Sequence, residues 1–98
     1  MTAGDVVNIV NSLTAGVNFD YVPAVGVEIA ITTVAAGNSD QDVYLYDGAN
    51  QAMFYRWASV TANRGSMVKV MINNSIYIRF NNGAGTTQVS GFSGIQIK

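Results

Sequence analysis

From Val17 onward the chain alternates apolar and polar side chains in short runs, each broken by Gly, Asn, Asp or its single Pro. A period of two sends successive side chains to opposite sides of a strand, so such runs read as half-buried β-strands rather than helices. The clearest sets Val25, Val27, Ile29 and Ile31 against Gly26, Glu28, Ala30 and Thr32, and predicts that the branched side chains face a core. Upstream, Val17, Phe19 and Tyr21 alternate with Asn18 and Asp20 until Pro23, which donates no ladder hydrogen bond and ends or edges that strand. Ala35 to Gln41 reads as a polar loop.

Asp42 to Asp47 predicts a strand closed by Asp47-Gly48, with Gln51 to Ser59 as its hairpin partner. A turn follows at Thr61 to Gly65. Ser66 to Ile72 and Ser75 to Phe80 flank Asn73-Asn74, where Asn tolerates left-handed backbone geometry, and predict a second hairpin. Past the Asn81–Gly85 turn come strands over Thr86 to Ser90 and Gly94 to Lys98. In residues 1–16, Thr2-Ala3-Gly4-Asp5 resembles a capping box and Val6, Ile9, Val10 and Leu13 fit a helical stripe. β-Branched content, with Asn8, Asn11 and Ser12, favours a first strand or N-terminal arm instead. The expectation is an all-β single domain over residues 1–98, a small antiparallel β-sandwich, jelly-roll or Greek-key-like, of about seven to eight strands.

The surface of such a domain is set by an unusual composition. Charged residues are 11% of this chain, against about 25% in an average soluble domain, and Asn, Ser, Thr, Gln and Gly fill the polar positions. At 10.4 kDa the fold should expose roughly 5,400 Å². Its charges are too sparse to line a groove that neutralises phosphates, so nucleic-acid binding is excluded as an expectation. No apolar run approaches the roughly 18 residues that span a bilayer, and no basic amphipathic segment points to a membrane surface. Met1 to Leu13 has no positive charge before its apolar residues and does not read as a secretory signal. Neutral amides and hydroxyls shed water at lower cost than ions, which suits a surface made to be packed against.

Catalysis lacks its usual groups. There is no His and no Cys, leaving six carboxylates, Lys69, Lys98 and hydroxyls without an evident base. Asn38, Asp40 and Asp42 have the spacing that starts a calcium loop, but Val43 stands where its Gly is needed and Ala49 where its bidentate Glu belongs. A solvated loop is the better reading, and a hydrolase built on Asp40 and Asp42 has no nucleophile–base pair. No metal, cofactor or catalytic residue is expected. Asn73-Asn74-Ser75 matches a glycosylation sequon that nothing else in the chain supports.

Aromatic residues lie on both faces of the central strands. Val43 and Leu45 oppose Tyr44 and Tyr46, and Met53, Tyr55 and Trp57 oppose Ala52, Phe54 and Arg56. A sandwich buries one face per sheet, so some of these rings, with Tyr77, should lie outside. Ordinary half-exposed strand aromatics, a protein interface and a sugar-stacking platform all fit that face. Met67, Lys69 and Met71 share another face, either as an adaptable contact surface or as fillers of an irregular core.

The run Met67 to Arg79, the ending Ser90-Gly91-Phe92-Ser93-Gly94-Ile95-Gln96-Ile97-Lys98, the opening Val10 to Gly16 and the strand Val25 to Thr33 together give a cadence. It resembles that of tailed-phage capsid decoration (cement) proteins and related small β-sandwich virion proteins. The resemblance implies a structural protein without enzymatic activity, made in a host cytoplasm and placed on the capsid exterior. There it would bridge major capsid subunits as a homotrimer. It also admits a carbohydrate-binding head-fibre or adhesion domain, with a glycan as partner. The contact residues expected on either reading are Tyr44, Tyr46, Tyr55, Arg56, Trp57, Tyr77 and Arg79.

Overall fold

A computed structural model describes residues 2–37, 40–57 and 64–98, the side chains of Trp57 and Arg64 excepted. Its eight strands are β1 (Val6–Leu13), β2 (Asn18–Tyr21), β3 (Ile29–Ala36), β4 (Gln41–Tyr46), β5 (Gln51–Trp57), β6 (Arg64–Ile72), β7 (Tyr77–Asn82) and β8 (Gln88–Gln96). They form two four-stranded sheets, sheet A in the order β1-β8-β3-β6 and sheet B in the order β2-β7-β4-β5. All pairs are antiparallel, and β1 pairs with β8, β2 with β7, β3 with β6 and β4 with β5. The chain is therefore one long ribbon folded back on itself and rolled up, closed by the β3–β8 and β4–β7 pairings. That is the eight-stranded jelly roll.

The core lies between the sheets. Val7, Leu13, Ile29, Ile31, Val34, Ile72, Phe92, Val43, Ile78 and Phe80 are buried there, each worth about 1.5–3 kcal/mol relative to exposure. Phe80 stacks with Phe19 and Phe92 at centroid distances of 6.4 and 6.3 Å, and Tyr21 meets Phe92 edge-on. One end of the sandwich is tied by a buried amide. Asn82 donates through Nδ2 to the carbonyls of Leu13 and Thr86, both at 2.9 Å, and its Oδ1 accepts from Gln41 Nε2 and the Ala84 N–H. Every polar atom of that side chain has a partner, which is what allows it to be buried.

Several local expectations hold and several are corrected. Residues 6–13 are the first strand, paired along their whole length with β8, and not an arm or helix. The Asp47-Gly48 hairpin is present. Gly48 takes a φ of 96°, and Asp47 Oδ1 accepts from the N–H groups of Asn50 and Ala49, contacts that hold its carboxyl below the usual range. Val25 is exposed in a turn at positive-φ Gly26, so β3 begins only at Ile29. β3 runs on to Ala36, and Gln41 is a buried strand residue, so the loop expected between them is shorter.

Asn73-Asn74 is not a hairpin turn. β6 and β7 belong to different sheets, and Asn73 Oδ1 caps the N–H groups of Ser75 and Ile76 while Asn74 Nδ2 donates to the Pro23 carbonyl as the chain crosses over. The strands expected at 86–90 and 94–98 are one continuous strand, β8. Gly91 and Gly94 sit inside it because a Cβ there would collide with the carbonyl oxygens of Ile9 and Ala30 on the flanking strands. Being central in sheet A, β8 completes its own sheet. The turn expected at Thr61–Gly65 and the end of the Gln51–Ser59 strand fall largely outside the described residues.

Candidate functional site

The sandwich offers two outer faces. On sheet B, the outward positions of β2, β7, β4 and β5 carry polar and aromatic side chains that bind one another. Asp20 on β2 takes Arg79 of β7 in a two-pronged pair, Nε to Oδ1 at 2.6 Å and Nη2 to Oδ2 at 2.9 Å. Arg79 lies over the Tyr46 ring at 3.6 Å and reaches Gln51 Oε1. The Asp20 carboxylate raises the Arg79 pKa further above its ordinary value, so this charge is permanent. Tyr46 meets Tyr77 edge-on, at 5.6 Å and 90°. A second group is centred on Asp42, which accepts from Arg56 at 2.8 and 3.2 Å and from the Tyr44 hydroxyl at 3.2 Å. Burial, and then the neighbouring Asp42 charge, push the Tyr44 hydroxyl above its ordinary pKa. Asn81 donates to Asn18 beside them.

Tyr44, Tyr46, Arg56, Tyr77 and Arg79 are thus brought to one face. Tyr55 is not among them. A bulge between the Val43–Tyr55 and Tyr44–Met53 pairs inserts Phe54 into β5, which turns Tyr55 toward the core and leaves Met53 outside. The side chain of Trp57 lies outside the described residues, as does Asn38 of the calcium-like spacing. Asp40, at the end of that loop, has a φ of 63°. Among the described residues no group of three or more His, Cys, Asp and Glu side chains is placed to hold a metal.

The outer face of sheet A is built differently. Outward positions carry Val6, Asn8, Val10 and Ser12 on β1, Val89, Gly91, Ser93 and Ile95 on β8, and Ala30, Thr33 and Ala35 on β3. Met67, Lys69 and Met71 complete it on β6. Val10 is 80% exposed and Met67 89%, with Val6, Met71, Val89 and Ile95 also open to solvent. Registration places Val10, Gly91, Ala35 and Gly65 side by side across the four strands. Gly91, Ala35 and Gly65 floor an open trough of about 760 Å³, with Val10 projecting at its β1 end. The row Asn8, Ser93 and Thr33 borders it on one side, with the row Val6, Ile95, Ala30 and Met71 beyond, and Val89 stands on the other. The one charge among these outward side chains is Lys69, on the edge strand. Of the two readings open for Met67, Lys69 and Met71, the contact surface fits their exposure and the core filler does not; the β1 and β8 half went unread, because its signal is a row of small residues shared between distant strands.

No family model and no curated protein matches the sequence. Among solved structures, the chain is similar to the nucleoplasmin-like N-terminal domain of Drosophila FKBP39, with a TM-score of 0.54 and 14% identity. The alignment covers 91% of this chain and 89% of that one. At that identity the likeness concerns the β-sandwich fold alone.

Proposed function

We propose that this chain is a non-enzymatic structural virion protein that decorates the outside of a phage capsid and stabilises it by bridging major capsid subunits, self-associating as it does so. The observation that carries the reading is the bare outer face of sheet A, a broad sheet surface with large apolar side chains on which Lys69, at the edge, is the one outward charge among the described side chains of its strands. Contiguous apolar surface of this kind marks a protein contact on a soluble domain. Burying it desolvates few ions, and its Asn, Ser and Thr groups hydrogen-bond across a wet rim. The jelly roll adds a fold-level association, since viral capsid domains use it, as do lectins and cupins. The homotrimer comes from the family resemblance and is one arrangement this reading accommodates.

The carbohydrate alternative gains less from the geometry. A sugar stacks on an open ring face, whereas Arg79 covers Tyr46, and Tyr77 meets Tyr46 edge-on. The test is co-sedimentation of the purified chain with shells assembled from the major capsid protein of the virus that encodes it. Bound chain that raises the temperature of shell disruption supports the reading. Unbound chain with unchanged shells contradicts it, and binding to a glycan array in the same preparation would put the carbohydrate reading in its place.

A further inference from the structure

We infer that the outer face of sheet A packs against the same face of a second copy of this chain, about a twofold axis. This deepens the proposed reading by naming what covers that face in the free protein, in a contact that must open for a shell to take its place, and it rests on the self-association contained in it. Three properties of the face select that occupant.

The first is charge. A twofold contact is isologous, so groups near the axis meet their own kind and ions there repel and lose water. Among the described side chains, sheet A's outer face is apolar or neutral across β1, β8 and β3, Lys69 lies on edge strand β6 where a long stem keeps the ammonium in water, and Glu28 and Lys98, paired with each other, lie past the strand ends. Sheet B's face holds Asp20, Arg79, Asp42 and Arg56, already paired within the chain.

Shape is the second. The low Val10-Gly91-Ala35-Gly65 row and the raised Val6-Ile95-Ala30-Met71 row run parallel on either side of the row Asn8-Ser93-Thr33-Met67, about 13 Å apart at two outward spacings of about 7 Å. A surface that carries a ridge and a parallel trough is self-complementary: each copy's ridge enters the other's trough, as facing side chains do between sheets packed at about 10 Å and −30°. Met67 and Met71 are unbranched and adapt to what they meet.

Area is the third. Four strands at about 4.8 Å spacing and eight to nine residues at about 3.3 Å give a footprint of roughly 500 Å² per copy, hence about 1,000 Å² in the pair, the lower bound for a biological interface and the size of a weak, reversible one. The contact is small enough to dissociate on dilution.

Light scattering coupled to size exclusion, over a dilution series, tests the pairing. The expected mass is twice 10.4 kDa at high concentration, falling to the monomer on dilution. Ile95→Lys and Ala35→Lys, at exposed outward positions on the central strands β8 and β3, should each weaken the dimer by about a hundredfold or more, because each places an ammonium inside the contact, where it cannot reach water as Lys69 does at the edge. Met53→Lys, on the outer face of sheet B, should leave the dimer unchanged. Far-ultraviolet circular dichroism and melting establish that each variant is folded. A wild-type monomer at every concentration, a trimer, or a dimer indifferent to both substitutions overturns the inference. A dimer sensitive to both substitutions that ignores capsid shells upholds the pairing and removes the capsid reading, so the two fail separately.

Discussion

On the outer face of sheet B, Arg79 engages Asp20, Tyr46 and Gln51 at once; on the outer face of sheet A, Val10, Met67 and Met71 lie open to solvent. Both faces are built on four-stranded sheets of one ribbon, and both carry large side chains. They differ in what those side chains have as partners. On sheet B the aromatic and charged groups satisfy one another, so covering that face would desolvate ion pairs already made and gain little. On sheet A the large groups are apolar and lack polar atoms to satisfy within the chain, so only burial against another surface removes them from water. A residue type enriched at interfaces is thus a weaker guide to an interface than whether its bonding capacity is already met inside the molecule.

The contrast can be broken most severely at the floor of sheet A. Gly91→Val places a side chain where the Ile9 carbonyl already is, so β1 must part from β8, and the loss should be at least about 4 kcal/mol in urea unfolding. A fully stable Gly91→Val variant would mean that the trough is not floored as described.

Sheet B is sharpened next. Arg79→Met removes a two-pronged pair of which Arg79 is 17% exposed and Asp20 29%, along with the ring contact, and should cost about 2 kcal/mol while leaving self-association intact. Arg56→Met should shift the unfolding midpoint less, since Arg56 is 58% exposed and solvent screens its pair with Asp42. Equal effects of the two substitutions, or weakened association in either, would dissolve the distinction between a self-satisfied and a bare face.

Much of the fold was legible in local pattern. Alternation marked most strands, Asp47-Gly48 marked the β4–β5 hairpin, and Met67, Lys69 and Met71 were legible as one face, though not as an outer one. What local pattern lacks is the identity of a strand's partner. In a rolled ribbon, β4 and β5 are, among the described strands, the one sequential pair that also neighbours in a sheet. Asn73-Asn74 therefore resembled a hairpin while its capping hydrogen bonds served a crossover. The bulge at Phe54 reversed the side to which Tyr55 points, and a bulge leaves no trace in an apolar run. Gly91 fell in a gap between two expected strands and Gly94 at the start of the second, because glycine serves turns and close approach alike, and only the neighbouring carbonyls tell which.

The most direct test of the central claim, that the outer face of sheet A is the covered surface, uses the absence of cysteine from the chain. Val10→Cys and Met53→Cys each introduce a single thiol, one on each outer face, and their rates of maleimide labelling can be compared in dilute and concentrated protein. The account predicts that concentrating the protein slows labelling of the Val10→Cys thiol by about tenfold or more, as occlusion in a populated dimer requires, and leaves the Met53→Cys thiol unchanged. Labelling of the Val10→Cys thiol that stays fast at every concentration, or protection that falls on Met53→Cys instead, would contradict it.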